Sequence, residues 1–258
     1  MGARLHRGRA ALSGHVCIAP ALRIVYRAFM RTTLLTLAAL LALAFADAPN
    51  TLSTDEQTAG WKLLFDGKTT AGWRAIGKNE FPAMGWAVED GALKHSKDGG
   101  GGDIVTSEDY ESFELTWEWR IGEAGNSGVK YNLPDRDINI GCEYQLIDDE
   151  KHPDGVRGGK SHQTAALYDL IAPADQKTNA VGAWNSSRLL VKGDHVEHWL
   201  NGVKTVEFEF GSEALKALVA KSKYKKVPGF GEKKMSPILL QDHGDEISFR
   251  SIKLRVLK

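Results

Sequence analysis

The 258-residue chain carries 33 Lys and Arg residues against 33 Asp and Glu residues, but these charges are unevenly distributed. Residues 1–46 contain six arginines and no acidic residue, which leaves the body of the chain, 47–258, with a net charge of −6. Phosphate binding needs a basic surface, so nucleic acid is excluded as the main partner of this acidic body. With 42% hydrophobic and 26% charged residues, the composition is that of a globular protein and not of a disordered one.

The N-terminal region has the layout of a secretory signal. A basic stretch and an apolar run precede Ala44-Phe45-Ala46, a small-x-small pattern typical of a signal-peptidase site. We predict a signal peptide over 30–46, an over-extended gene start over 1–29, and export to a periplasmic or extracellular location. A genuine long leader or a membrane anchor is the alternative, although about a dozen apolar residues are too few to span a bilayer comfortably. After signal removal we expect no stable membrane span.

Most of the body alternates between apolar and polar residues, which is the period of a half-buried antiparallel strand. The clearest segment is 112–121, in which the apolar set Phe113, Leu115, Trp117, Trp119 and Ile121 alternates with Glu114, Thr116, Glu118 and Arg120. Segment 190–206 predicts three strands joined by two tight turns, and 247–256 predicts a strand with a bulge near Arg250-Ser251. Asn126-Ser127-Gly128 is interpreted as a turn.

Helical spacing is confined to 212–224, where Ser212 is a candidate N-cap. Many closely spaced strands with one short helix predict an all-β fold, a sandwich or jelly roll. We place this domain at 60–258, after a mature N-terminal segment at 47–59. Cys142 is the single cysteine of the body, so no disulfide can form within it.

Strand alternation also sorts the residues that could carry chemistry. In 142–148 we assign Cys142, Tyr144 and Leu146 to the core, so Glu143 and Gln145 project from the opposite face into a groove. The same reasoning directs further polar residues away from the core: Glu118, Arg120, Lys130, Gln241 and His243. A groove lined by such planar and charged groups, with tryptophans nearby, suits a sugar.

Each candidate also has a less specific interpretation. Glu143 taken alone is more typical of a solvated strand acid. Segment 148–150, with Asp148 and Asp149, is either a charged loop or a Ca²⁺ site. Histidines 152 and 162 flank a glycine-rich loop, and histidines 195 and 198 are expected at the surface. No zinc-protease, Cys-x-x-Cys or Walker pattern occurs, so zinc-protease and nucleotide chemistry have no support.

Several motifs, taken together and in order, resemble a known family. They are Leu64-Phe-Asp-Gly-Lys68 with Gly72-Trp73, Trp86-Ala-Val-Glu-Asp-Gly91, Phe113-Glu-Leu-Thr-Trp-Glu-Trp-Arg120, Gly125-Asn-Ser-Gly-Val-Lys-Tyr131, Glu143-Tyr-Gln-Leu-Ile-Asp-Asp-Glu-Lys-His-Pro-Asp154, Ala166-Leu-Tyr-Asp-Leu-Ile-Ala-Pro173, Trp184-Asn185, His198-Trp-Leu-Asn-Gly-Val203 and Leu240-Gln-Asp-His-Gly244. The set is similar to the 3-keto-disaccharide (3-keto-glycoside) hydrolases, a family first described only as a domain of unknown function. The resemblance implies a concanavalin A-like jelly roll, export in bacteria, and action on oxidised glycosides.

The chemistry of such a substrate suggests roles for the candidate residues. A ketone at C3 acidifies the C2 proton, so cleavage needs a base, a donor for the enolate and an acid for the leaving oxygen. We expect Glu143 or His243 as base and the other as acid, with Lys130 or Arg120 polarising the ketone. The remaining substrate-binding candidates are Glu118, Gln145, Tyr168, Gln241 and His152.

The sequence requires no cofactor, although a divalent metal is possible, held by His152, Asp148 or Asp149. The expected partner is a small-molecule carbohydrate, and the oligomeric state stays open. Two other functions remain: a non-catalytic carbohydrate-binding module, because one fold hosts both activities, and a conventional glycosidase, which uses paired carboxylates.

Overall fold

The strands of the chain form two antiparallel sheets. A computed structural model of the chain describes residues 48–258, so the predicted signal at 30–46 and the segment 1–29 lie outside the described residues. The strands are β1 (Lys62–Leu63), β2 (Trp73–Ala75), β3 (Trp86–Glu89), β4 (Ala92–His95), β5 (Ile104–Thr106), β6 (Phe113–Ile121), β7 (Asn126–Tyr131), β8 (Cys142–Ile147), β9 (Asn185–Lys192), β10 (His195–Leu200), β11 (Val203–Glu209), β12 (Leu239–Leu240) and β13 (Ile247–Val256).

The larger sheet has the strand order β11-β10-β9-β6-β13-β4-β3, with β1 paired to β13, and the smaller sheet has the order β2-β5-β12-β7-β8. Both sheets combine strands that are distant in sequence; β13, for example, lies between β4 and β6. The two sheets pack face to face around one main hydrophobic cluster. This arrangement confirms the predicted all-β jelly-roll sandwich.

Residue alternation along β6 and β8 decides what enters the core. The apolar residues Trp117 and Trp119 of β6 are buried, and Tyr144 of β8 packs edge-on against Trp117 with ring centroids 5.0 Å apart. Because successive side chains of a strand point to opposite faces, the polar residues between them point away from the core. The predicted alternation of 112–121 and 142–147 is therefore confirmed.

The predicted hairpins and bulge are present. β9, β10 and β11 form a meander whose turns use left-handed residues, Gly193 in the first turn and Asn201 and Gly202 in the second. In β13 the pairing with β6 shifts register between Arg250 and Lys253, and Ser251 has φ +50°. An extra residue in one strand of a pair produces this local break, as the change of register in the sequence predicted.

The structure corrects two local predictions. The predicted helix is α3 (Glu213–Val219) in chain order, capped by Ser212, but two more single-turn helices occur, α1 (Thr54–Thr58) and α2 (Pro153–Arg157), with a 3₁₀ turn at Lys160–His162. Segment 126–128 is not a turn, because it begins strand β7. None of the helices among residues 48–258 is long and apolar enough to cross a bilayer.

The segment before the sandwich docks on strand β13. Ser53 caps α1 in a capping box with Glu56, and the Glu56 carboxylate accepts hydrogen bonds of 2.7 and 2.8 Å from Lys253. Asn50 exchanges hydrogen bonds with Ser251 at the bulge. These contacts fix 48–59 against the outside of the larger sheet and give the bulge its polar partners.

His198 lies inside the core, where the sequence predicted a surface histidine. It is fully buried, accepts a hydrogen bond from the Tyr131 hydroxyl at 2.6 Å, and its other ring nitrogen lies 3.2 Å from the carbonyl of Ala165. Burial disfavours the charged ring and lowers the pKa of His198 to about 4. The folded protein therefore holds this ring neutral at pH values where the unfolded chain protonates it.

We predict that acidification destabilises the fold through His198. Because the folded pKa lies below the unfolded value, the stabilisation is complete above the unfolded pKa and is lost as pH falls toward the folded one. Linkage gives a loss of about 2 kcal/mol in the free energy of unfolding between pH 7 and pH 5. Urea unfolding of wild type and His198→Gln at both pH values measures this; equal pH dependence in the two proteins would contradict it.

Candidate functional site

The outer face of the smaller sheet carries four polar side chains, from Lys130, Glu143, Gln145 and Gln241, next to Gly128, and we call these five residues the polar floor. Alternation places them opposite the core residues of β7 and β8. Lys130 pairs with Glu143 across the β7–β8 ladder, and Gly128 pairs with Gln145. On the other side of β7, the Gln241 amide donates to the Gly128 carbonyl at 3.0 Å. Strand pairing thus assembles residues that lie far apart in sequence.

The polar floor is covered, whereas the sequence predicted an open groove. Glu143 is 4% exposed, Gln145 is 1% exposed and Lys130 is 6% exposed. The Lys130 ammonium donates to the carbonyl of Asn139 at 2.9 Å, in the loop between β7 and β8. The Glu143 carboxylate therefore lies outside the hydrophobic layer between the sheets but beneath loops, and does not open directly to solvent.

Burial and neighbouring charges act on Glu143 in opposite directions. Removal from water raises the pKa of its carboxyl group, and the ammonium groups of Lys130 and Lys223 offset part of that rise. The nearest Lys130–Glu143 contact, Nζ to Oε2, is 3.7 Å. The pKa of Glu143 therefore lies above the ordinary range of a glutamate, but by less than burial alone would produce.

Gly128 provides the space that the Glu143 carboxylate occupies. A Cβ atom at residue 128 would lie 2.5 Å from Glu143 Oε1, closer than any carbon–oxygen van der Waals contact. The close approach of the Glu143 side chain, and not an unusual backbone angle, therefore explains why a glycine stands here.

A hydrogen-bonded chain of side chains lies beside the floor. The Tyr168 hydroxyl donates to Asp154 Oδ2 at 2.7 Å, and the other Asp154 oxygen lies 2.8 Å from His162 Nδ1. The second ring nitrogen of His162 lies 3.2 Å from Asp169. Both ring nitrogens of His162 therefore face a carboxylate oxygen. Tyr168 was predicted from the sequence; the other three residues were not.

Lys223 completes this group. Its ammonium lies 4.1 Å from the centroid of the Tyr168 ring, and its backbone N–H donates to Asp169 at 2.9 Å. Although Lys223 is an exposed residue, partial desolvation lowers the pKa of its ammonium, against the attraction of Glu143. Sequence reasoning missed it because 221–226 is lysine-rich and has the pattern of a solvated surface.

Unpartnered acceptors concentrate on this side of the molecule. Among residues 48–258, five buried side-chain polar atoms have no hydrogen-bond partner, and four of them are oxygens of Asp103, Asn126, Gln145 and Gln241. All four residues belong to, or directly adjoin, the strands of the smaller sheet. Buried polar groups are ordinarily paired, so this concentration indicates a site that receives hydrogen-bond donors from a ligand or from water.

The predicted metal residues are used in other ways. Asp148 accepts hydrogen bonds from the backbone of Ala124, Glu150 and Lys151, and Asp149 accepts from Thr164 and Gln176. These carboxylates order the loop after β8.

Two other groups among the described residues have the spacing of metal ligands. One is His152, His243 and Asp245 at the rim of the site, and the other is His195, Glu197 and Glu207 on the larger sheet. At the rim, the rings of His152 and His243 lie edge to face with centroids 6.0 Å apart.

Glu118 and Arg120 do not belong to this site, contrary to the prediction. Both point outward from β6, but β6 belongs to the larger sheet, so they lie on the opposite outer surface of the sandwich. Glu118 accepts a 2.7 Å hydrogen bond from Arg250, and the Arg120 guanidinium lies 4.9 Å from the Trp184 ring. A cavity of about 380 Å³ on that surface is lined by Glu118 and Trp199.

Comparison with known proteins identifies relatives of this chain. Residues 60–255 match the family model of the 3-keto-alpha-glucoside-1,2-lyase-like domain. A protein of Bacteroides thetaiotaomicron described as a 3-keto-disaccharide hydrolase is 34% identical over 229 residues, which cover 77% of this chain and 79% of the relative.

Solved structures agree with these matches. A candidate glycosyl hydrolase from Parabacteroides distasonis is 35% identical, with a TM-score of 0.74, over 82% of this chain and 100% of that one. A second structure of that description from the same organism is 28% identical, with a TM-score of 0.59, over 76% of this chain and 99% of the other. Since the family model spans well over half of its residues, the chain belongs to the family of 3-keto-alpha-glucoside-1,2-lyase-like domains.

Proposed function

We propose that this chain cleaves the glycosidic bond of 3-keto-glycosides or 3-keto-disaccharides by removing the C2 proton, expelling the glycosidic oxygen and hydrating the product. The relatives support a glycosidase-type function. The observation that carries the finer proposal is the buried Glu143 carboxylate beside the Lys130 ammonium. Such a pair suits proton abstraction next to a ketone better than stabilisation of an oxocarbenium ion, for which glycosidases use two carboxylates.

The reaction proceeds in two balanced stages. A base takes the proton from C2, and the C–H electron pair forms a C2=C3 enolate with its negative charge on the C3 oxygen. The enolate then reforms the C3 ketone, makes a C1=C2 double bond and breaks the bond from C1 to the glycosidic oxygen, which takes a proton. Water adds hydroxyl to C1 and hydrogen to C2, so the net reaction is hydrolysis.

Glu143 is the base in this proposal. Its pKa is raised by burial, and a general base works best when its pKa lies near the operating pH. The ammonium of Lys130 limits the rise in the pKa of Glu143 and, because it lies beside that carboxylate, provides positive charge where the enolate forms. A positioned donor of this kind is commonly worth about 3 kcal/mol of the barrier.

Lys223 is the proton donor for the leaving oxygen. Its lowered pKa makes its ammonium a better acid than an ordinary lysine, and it lies beside Tyr168 at the edge of the floor. The unpartnered oxygens of Gln145 and Gln241 would accept from sugar hydroxyls. Tyr168, held by Asp154, would position the substrate from the side.

Export of the enzyme belongs to the same proposal and is supported by the signal-like order of 30–46. The alternative function is a carbohydrate-binding module without catalysis. The titratable groups at and beside the floor favour an enzyme, since a binder is expected to use stacking aromatic rings and few acids or bases.

We predict that the purified protein releases the aglycone from a 3-keto-glycoside but not from the unoxidised parent. In Glu143→Gln, turnover should fall at least ~100-fold with little change in KM, because the amide keeps the shape but cannot take a proton. Exchange of the C2 proton in deuterated water, followed by NMR, should be lost in parallel.

The exposed Glu207→Gln on β11 is the matched control and should keep full activity. Full activity of Glu143→Gln would remove this residue from the mechanism. Release from the parent sugar would indicate a conventional glycosidase, and tight binding of the keto sugar without release would indicate a binding module.

Gly128→Ala tests the position of the base independently. The new methyl group would meet the carboxylate end of Glu143, which can turn aside by rotation about its side-chain bonds, so we expect the melting temperature to change little while kcat falls about 10- to 100-fold from displacement of the carboxylate. Thermal unfolding and steady-state kinetics measure the two effects. Unchanged kcat in a folded variant would show that the carboxylate position is not critical.

The pH profile of kcat/KM should be bell-shaped. Activity should rise through the raised pKa of Glu143, above the range of an ordinary glutamate, and fall where Lys223 loses its proton, below the range of an ordinary lysine. Lys223→Met should be slower and lack the alkaline fall, whereas the nearby control Lys221→Met should keep the whole profile. An unaltered alkaline limb in Lys223→Met would exclude it as the acid.

A further inference from the structure

A cluster of potential metal ligands lies at the rim of the polar floor. His152 comes from the loop after β8, and His243 and Asp245 come from the loop between β12 and β13. One ligand atom from each residue lies within 4.8 Å of the others. Two separate loops thus bring two imidazoles and one carboxylate together on the side of the sandwich where the proposed chemistry takes place.

Both loops are held in place by contacts below the rim. Asp242, next to His243, lies 3.0 Å from the fully buried His95 and accepts a 2.9 Å hydrogen bond from the Gly102 amide. Asp245 Oδ2 accepts a 3.0 Å hydrogen bond from the backbone N–H of Asn126, and this bond connects the loop to β7. The residues on either side of His243 are therefore fixed, and a site that is positioned before its ligand arrives binds more tightly.

Lone pairs are available in this cluster. Within residues 48–258, His243 makes no hydrogen bond or ion pair. The Asn126 side-chain oxygen, in a residue only 3% exposed, has no partner although its own backbone N–H contacts Asp245. Because Asn126 contacts Asp245 through its backbone N–H, its unsatisfied side-chain oxygen is a candidate for a further ligand.

The second cluster with metal-like spacing differs in this respect. Glu197 accepts from the Trp199 indole at 2.8 Å and lies within 3.4 Å of Arg188, and Lys204 contacts both Glu197 and Glu207. His195 is engaged with Glu209 at 2.7 Å. Cations of the protein already neutralise those carboxylates, so the cluster serves as an internal control.

We propose that His152, His243 and Asp245 bind a divalent transition-metal ion, with the Asn126 amide oxygen as an additional ligand. Two imidazoles with one carboxylate favour ions such as Fe²⁺, Co²⁺ or Zn²⁺ over Ca²⁺ and Mg²⁺, which prefer oxygen ligands only. Three or four protein ligands leave coordination positions for a substrate. Binding of the ion does not depend on the proposed function. A role for the ion in catalysis does depend on it, because the proposed substrate has a ketone and a neighbouring hydroxyl that together form a bidentate chelator.

The proposal requires one local rearrangement. His152 Nδ1 accepts a hydrogen bond from the Asp154 amide at 3.1 Å and caps α2, so the neutral ring carries its proton on Nε2. Coordination through either ring nitrogen breaks the capping bond, because the metal either takes the lone pair of Nδ1 or, at Nε2, moves the proton to Nδ1. A single neutral hydrogen bond at the end of a five-residue helix is weaker than a metal–imidazole bond, so the metal is expected to prevail.

Metal binding is tested on the full chain without reference to activity. The protein is stripped with EDTA and titrated with Co²⁺, whose visible absorption reports coordination by imidazole, and metal content after dialysis is measured by mass spectrometry. We expect about one Co²⁺ per chain and a rise in the melting temperature. His243→Ala and Asp245→Asn should each weaken binding at least ~10-fold.

The matched control is His195→Ala, which should bind Co²⁺ as wild type does. No bound Co²⁺ in wild type, or unchanged affinity in both His243→Ala and Asp245→Asn, would overturn the proposal. Stripped and Co²⁺-loaded protein are then compared with a 3-keto-glycoside. Coordination without any release in either form supports the metal site while contradicting the proposed function. Equal release in both forms contradicts only the catalytic role of the ion.

Discussion

The buried ion pair between Lys130 and Glu143 is the interaction on which the rest of the site depends. Taking both charges out of water costs several kcal/mol per ion, which their attraction at 3.7 Å returns only in part. Replacing such a pair with apolar residues often leaves a fold as stable or more so, so stability alone does not explain it. A functional role explains the buried pair better. Each charge is held where it acts on the other charge and on a substrate that binds beneath the covering loops.

Two features of the fold make this pair possible. Antiparallel pairing of β7 with β8 puts the two side chains directly opposite each other, and the missing side chain at Gly128 leaves room for the carboxylate. A glycine inside a strand weakens it, and its presence there usually marks a close approach. Here the group that approaches the glycine is the Glu143 carboxylate. The same glycine that lowers the stability of the strand therefore makes room for the proposed base.

Alternation in the sequence predicted the strands, the core and the direction of Glu143, because a period of two is a local property. It could not assign Glu118 and Glu143 to different surfaces. A sandwich has two outward faces, and which one a strand presents depends on its sheet, which long-range pairing decides. The pairing of β6 with β9 and β13, and of β7 with β8 and β12, is encoded in contacts between segments many residues apart.

The loop residues show the same limit in another form. Asp154, His162 and Lys223 have no periodic signal, and their approach to Tyr168 exists only once the loops after β8 and α3 fold over the smaller sheet. His152, predicted from the sequence as a site residue, does lie at the rim with His243, but its role cannot be read from spacing.

His243 illustrates how tertiary structure changes the choice between roles. The sequence left it as the base or the acid opposite Glu143, and both roles need a ring that exchanges protons with the substrate. A ring bound to a metal cannot do so, since its lone pair is occupied. The contacts favour the second use: His243 is exposed, faces His152 and Asp245, and is flanked by residues pinned to the sheet, whereas Lys223 is available for proton donation. Rigid placement suits a ligand, and a long, mobile lysine suits a group that must follow a leaving oxygen.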